Sequence, residues 1–158
     1  MGAIPAKTQM PSSKFVFPPN GGTVAANTLF TIKLAIKNLE TGNFANTDKN
    51  YFSAPQQLNG QGIIRGHSHV VIEKLDSLAQ TTPSDPTVFA FFKGLNGVAQ
   101  DGILFADVAS GLPAGFYKLS SSATATNHQP VLVPIAQRGS VDDVVYVGSI
   151  FYFANHRF

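Results

Sequence analysis

The stretch Phe30-Thr31-Ile32-Lys33-Leu34-Ala35-Ile36-Lys37 decides the fold class of this chain. Its large apolar residues stand at every second position, and Thr, Lys and Ala fill the positions between them. This two-residue period is typical of a strand with one buried face, whereas an amphipathic helix needs apolar residues three and four positions apart. The stretch therefore predicts a β-strand.

Further strand-like segments lie on both sides of this stretch and are separated by turns rich in Gly and Pro. We expect strands at residues 14–17, 63–75, 88–93, 103–105, 116–119 and 144–153, and a proline-bracketed edge strand at 130–136. Regularly spaced strands with such turns are typical of a sandwich or a barrel. The sequence predicts a single-domain, jelly-roll-like β-sandwich, all-β, with about seven to nine strands and little or no helix.

The chain is expected to consist of a short arm and one folded domain. Residues 1–13 contain two prolines and small polar residues, and we expect them to form an extended N-terminal arm. Residues 14–158 are expected to form the sandwich, since 158 residues fit one domain and can bury a core without disulfides. Residues 38–62 are expected to form a long ordered loop packed by its own aromatic side chains.

The composition argues against several classes of function. The formal net charge is +2 and the eleven Lys and Arg residues are scattered, so we expect no nucleic-acid partner. The absence of cysteine excludes a disulfide scaffold, a thiolate zinc site and a Cys nucleophile. The apolar runs are far shorter than the roughly 20 residues of a membrane span. No Gly-x-Ser-x-Gly motif occurs, and no catalytic residue is assigned.

A pair of histidines stands in the longest predicted strand, in the run Gly66-His67-Ser68-His69-Val70-Val71-Ile72-Glu73. Because side chains two positions apart share one face of a strand, His67, His69 and Glu73 are expected to point the same way. Two imidazoles about 7 Å apart can reach one divalent metal ion if a third ligand arrives from elsewhere, and His128 is the best remote candidate. The alternative is that the histidines are structural and bond to buried carbonyls.

The spacing His67-x-His69-x-x-x-Glu73 resembles the first metal motif of the cupin superfamily. Members of that superfamily are β-barrels that hold Fe, Mn, Zn or Ni with two His, a Glu and a later His. The likeness is partial, because Lys118 stands where the second motif has its His. It implies a metal-binding protein or a metal-dependent enzyme.

Longer segments of the chain resemble a family of secreted fungal proteins best known from basidiomycetes. The segments include GHSHVVIE at 66–73, GLPAGFYKL at 111–119 and NHQPV at 127–131. The resemblance covers roughly residues 15–148, and it implies an extracellular protein whose signal peptide is absent from this chain. It also implies cysteines near Ser120 and Val144, which this chain lacks. The resemblance therefore indicates an extracellular location and does not indicate a reaction.

Three functions are compatible with these patterns. The first is a non-enzymatic structural, surface or matrix protein without a cofactor. Such a protein would associate with itself or with cell-wall or matrix components. The low content of charged residues, 13%, favours this function. The second is a cupin-like metal-binding protein or enzyme. The third is a carbohydrate-binding module, which would have to use the tyrosines, since the chain has no Trp; these are Tyr51, Tyr117, Tyr146 and Tyr152. The position of His128 relative to His67 and His69 bears directly on the second.

Overall fold

The computed structural model describes residues 1–50 and 54–151. Those residues form nine strands, one 3-10 turn at Lys7–Gln9 and one short helix, α1, at Thr47–Asn50. The strands are β1 (Ser12–Phe17), β2 (Thr23–Ala25), β3 (Phe30–Lys37), β4 (Leu39–Glu40), β5 (Ile64–Leu75), β6 (Phe91–Leu95), β7 (Ile103–Val108), β8 (Gly115–Ala125) and β9 (Val144–Ile150). The prediction of an all-β, sandwich-like domain is confirmed.

The strands form two sheets. In the smaller sheet β3 lies between β1 and β7 and is antiparallel to both. The larger sheet has the order β2-β9-β8-β5-β4, and β6 also pairs with β5. The longest pairing joins β5 and β8, antiparallel, from Gly66 opposite Ala125 to Leu75 opposite Phe116. This pair is the frame on which the histidine run is held.

The core lies between the two sheets and is apolar. Ile32 and Leu34 of β3 are fully buried, while Lys33 between them is exposed, as the two-residue period predicts. They share one cluster with residues of the larger sheet, among them Ile72 and Leu119. Each such side chain stabilises the fold by roughly 1.5–3 kcal/mol through burial, so the alternation fixes which face of the strand is inside.

One strand begins later than its composition indicates. The sequence predicts a strand from Val88, but β6 begins at Phe91. The Asp85 carboxylate accepts a hydrogen bond from the Thr87 amide at 2.8 Å, and the Asp85 carbonyl accepts one from the Val88 amide. This local turn uses the amides that a strand would need for its neighbour.

Two further predicted strands are absent or shorter than predicted, whereas β7 and β8 extend beyond the predicted residues 103–105 and 116–119. Residues 130–136 form no strand, and only Pro130 makes an isolated bridge, to Thr124 of β8. The last strand, β9, ends at Ile150. The rest of that predicted strand, from residue 152 onward, lies outside the described residues.

The N-terminal arm packs against the domain through a buried glutamine. Gln56 donates hydrogen bonds to the carbonyls of Ala3 at 2.8 Å and Leu132 at 3.0 Å, and its side-chain oxygen accepts one from the Leu132 amide. Pro5 and Pro11 of the arm are buried. The arm is therefore held against two loops before β1 begins.

No helix among residues 1–50 and 54–151 combines the length and the apolar character required to cross a membrane.

Candidate metal centre

The β5–β8 pair positions two histidines on one face of the larger sheet. His67 lies opposite Thr124 of β8, and His69 lies opposite Ser122. Val70 and Ile72 of the same strand belong to the core, so the two histidines lie on the face that points away from it. The predicted shared face of His67 and His69 is present, and His67 is nonetheless fully buried.

His128 reaches the same place from the turn that follows β8. The turn is closed by hydrogen bonds from the His128 amide to the Ala125 carbonyl and from the Ala125 amide to the Gln129 carbonyl. His128 has a φ of 69°, a left-handed conformation that is uncommon for residues other than Gly, although Asn, Asp and His adopt it more often than the rest. Such backbone conformations are concentrated at functional sites, and here the conformation turns the imidazole back over β5.

The three imidazoles form one compact group. Each offers a ring nitrogen, and these three nitrogens all lie within 4.8 Å of one another. The shortest contact, from His67 Nε2 to His128 Nδ1, is 3.2 Å. Nitrogens bound to a single zinc ion at about 2.0–2.1 Å lie roughly 3.3 Å apart in a tetrahedral site. Side-chain rotations that close the widest gap by roughly 1.5 Å would bring all three into that geometry.

Backbone carbonyls determine which nitrogens carry protons. His67 Nδ1 lies 3.0 Å from the Asn43 carbonyl oxygen, and His128 Nε2 lies 2.7 Å from the Ala45 carbonyl oxygen. A carbonyl only accepts hydrogen bonds, so these two nitrogens act as donors, and the other two, His67 Nε2 and His128 Nδ1, face each other. In the metal-free protein the Thr124 hydroxyl, 3.2 Å away, can donate to His67 Nε2. Histidines that bind metals usually have their second nitrogen anchored in this way.

The surroundings keep two of the imidazoles neutral. The pKa of His67 is lowered from 6.5 to about 4. Burial is the largest cause, and the neighbouring His69 and His128 rings contribute to the decrease, whereas the hydrogen bond to Asn43 opposes it. The pKa of His69 is also lowered, first by burial and then by His128, and a hydrogen bond to the Ser122 backbone opposes the shift. A neutral imidazole is the form that binds a metal ion.

Glu73, the fourth predicted ligand, lies elsewhere on the strand. It stands four positions after His69 in the extended strand, which corresponds to roughly 13 Å. Its carboxylate pairs with Lys118 Nζ of β8 at 2.7 Å, and the carboxylate side chain is only 13% exposed. The structure therefore brings together three of the four predicted residues and uses Glu73 in a cross-strand ion pair.

A cavity of about 970 Å³ opens beside the histidines. Phe92 of β6 stacks on the His69 ring, with centroids 5.4 Å apart and planes 24° apart. Phe44 meets the His67 ring edge-on at 6.2 Å. The lining residues are Phe44, Ala45, Asn46, Thr47, Asp48, His69, Phe92, Gly94, Asn96, Ser122, Thr124, His128 and Pro130. The sequence pattern does not identify Phe92 as a site residue, because only the pairing of β6 with β5 brings it beside His69.

The tyrosines do not form a common surface within the described residues. Tyr117 is buried in the core, and its hydroxyl donates to the Pro113 carbonyl at 2.8 Å. Tyr146 is 42% exposed on β9. Tyr51 and Tyr152 lie outside the described residues, as does the fourth histidine of the chain, His156.

The metal-free protein is expected to lose stability as the pH falls from about 6.5 to about 4. Between these values the unfolded chain binds a proton at His67 that the folded chain excludes, so the free energy of unfolding falls with falling pH. The full shift corresponds to at most about 3 kcal/mol. Urea unfolding with a chelator at pH 7 and pH 5 measures this loss. An equal loss in a His67→Gln variant would contradict the assignment to His67.

Comparison with known proteins gives the family. Residues 13–149 match the model of the CLU5d N-terminal domain. The chain is 45% identical over 145 residues to "Pathogenicity cluster 5 protein d" of Colletotrichum graminicola, an alignment that covers 90% of this chain and 30% of that relative. The predicted likeness to a fungal family is confirmed at this level, while secretion and the cupin resemblance stay predictions. The chain belongs to the CLU5d N-terminal domain family.

Proposed function

We propose that this domain binds one divalent transition-metal ion through His67, His69 and His128. The observation that carries the proposal is the 3.2 Å approach of His67 Nε2 to His128 Nδ1, with the opposite nitrogen of each ring directed at a carbonyl. In the tautomers that donate to both carbonyls, the two facing nitrogens are acceptors, and a cation bound by both would be attracted to them. Three imidazole ligands suit Zn²⁺ or Cu²⁺ and discriminate against Mg²⁺ and Ca²⁺, which prefer oxygen ligands.

A metal ion at this position would keep an open coordination position. Structural zinc sites are closed by four protein ligands, whereas sites with three protein ligands accept water or another small ligand in the fourth position. His69 and His128 both line the cavity, so that position is accessible from solvent. Because the three ligands are uncharged, a bound ion would retain its full positive charge and favour an anionic oxygen as the fourth ligand.

A titration with ZnCl₂ or CuCl₂ by calorimetry tests this proposal on the chelator-treated protein. We expect one ion per chain and a dissociation constant on the order of 1 μM or lower, equivalent to about −8 kcal/mol. In the same sample, the imidazole nitrogen resonances of His67, His69 and His128 should shift together. Absence of binding, or unchanged binding after His67→Gln and His128→Gln are combined, would overturn the proposal.

A second proposal concerns the setting in which the domain acts: a non-enzymatic role outside the fungal cell. The relative is named a pathogenicity cluster protein, which is compatible with such a role. Self-association is supported by exposed apolar side chains at Val88, Phe89 and Phe92 and by a surface of low charge. Metal binding requires no turnover, so the two proposals are compatible. A sedimentation coefficient that stays constant over a wide range of protein concentration would count against self-association.

A further inference from the structure

We infer that the cavity beside the three histidines receives a flat aromatic ligand that carries an oxygen donor, of the phenol or catechol class. The ring would lie against Phe44 and Phe92, and the oxygen would point to the ion held by His69 and His128; the inference therefore rests on the proposed metal site.

The cavity has aromatic walls that are left open to solvent. Phe92 is 54% exposed and Phe44 is 50% exposed, although each ring also contacts a histidine of the site. Ala45 and Pro130 add further apolar lining. Aromatic rings gain from offset or edge-on contacts with other aromatic rings by about 0.5–1.5 kcal/mol beyond the burial of their area. A flat aromatic ligand could contact both phenylalanines.

Some of the polar groups of the cavity are already engaged by other groups of the protein. The Asn46 side chain accepts a hydrogen bond from the Asp48 amide, and the Thr124 hydroxyl lies against His67. The Ser122 carbonyl accepts a hydrogen bond from Ser68. A phenol needs one strong polar contact, which the metal ion would supply.

The charges of the cavity also select against free inorganic anions. Among the lining residues in the described part of the chain there is no Lys or Arg, and the ionisable group besides the histidines is Asp48. Phosphate or sulfate would therefore meet a carboxylate and depend on the metal ion alone. The volume of about 970 Å³ lies within the usual range of about 300–1,000 Å³ for small-molecule sites and can hold one or two rings.

Binding of 4-nitrocatechol to the Zn²⁺-loaded protein, followed by the shift of its visible absorption after free Zn²⁺ has been removed, tests the inference. We expect saturable binding at one site per chain, at least 10-fold tighter than binding of azide. At Zn²⁺ concentrations that saturate each variant, Phe92→Ala and Phe44→Ala should each weaken it about 10-fold, equivalent to about 1.4 kcal/mol. Phe105→Ala is the matched control, because Phe105 is 45% exposed on β7 and does not line the cavity.

The experiment distinguishes a failure of the ligand inference from a failure of the metal site. If Zn²⁺ binds but 4-nitrocatechol binds no more tightly than azide, or if both phenylalanine variants bind it as the unmodified protein does, the aromatic ligand is excluded while the metal site stands. If Zn²⁺ does not bind, the metal site and the ligand inference both fall. The two phenylalanines lie on different segments and are half exposed, so misfolding of one variant leaves the other as the test.

Discussion

Replacing His128 by asparagine is expected to weaken Zn²⁺ binding by roughly 100-fold or more, about 2.7 kcal/mol. The substitution removes one of three ligands. The two that remain, His67 and His69, lie on the same strand and cannot by themselves complete the coordination of the ion. Asparagine is chosen because it tolerates the left-handed backbone at this position, where φ is 69°. The turn after β8 should therefore persist. Calorimetric titration and the thermal midpoint of the metal-free protein measure the two effects separately.

The fourth histidine provides the matched control for this experiment. His156 is a histidine in the same chain that is not assigned to the site, so His156→Asn should leave the affinity for Zn²⁺ unchanged. The outcome that contradicts the site is a large loss of affinity in the His156 variant with none in the His128 variant. Loss of the fold in His128→Asn would instead point to a purely structural role for the imidazole. Loss of Zn²⁺ binding with unchanged stability would identify His128 as a metal ligand.

The sequence predicts the fold through its strand period, and it does so for a physical reason. In β3 the large apolar residues fall on one face, and Ile32 and Leu34 are buried in one cluster with residues of the other sheet. The same reasoning correctly places His67 and His69 on a shared face. It works because side-chain direction in a strand depends on local geometry alone.

The rest of the site depends on contacts that are distant along the chain. The proximity of His128 to β5 follows from a turn with one left-handed residue, which no periodic pattern predicts. Phe92 joins the site only through the register of β6 against β5, in which it lies opposite Val71. Glu73 illustrates the opposite case: it shares a face with the histidines, but its distance along an extended strand places it beside Lys118.

Replacing Gly66 by alanine is expected to destabilise the domain by about 3 kcal/mol or more. A Cβ at this position would lie 1.9 Å from the Thr124 carbonyl oxygen and 3.0 Å from the Thr124 carbonyl carbon. These atoms belong to the backbone of β8, so the clash is relieved only if β5 and β8 separate where their pairing begins. Urea unfolding of the metal-free protein measures the loss.

The same substitution should also weaken metal binding in the fraction that remains folded. The Gly66 carbonyl accepts a hydrogen bond from the Asn43 amide at 3.1 Å, and the Asn43 carbonyl in turn lies 3.0 Å from His67 Nδ1. A displaced Gly66 therefore moves the group that orients His67. Gly60→Ala is the control, since a Cβ there has no atom within 4 Å, and it should change stability by less than about 0.5 kcal/mol. If the two alanine variants unfold at the same urea concentration and bind Zn²⁺ equally, the close approach of β5 to β8 at Gly66 does not constrain the site.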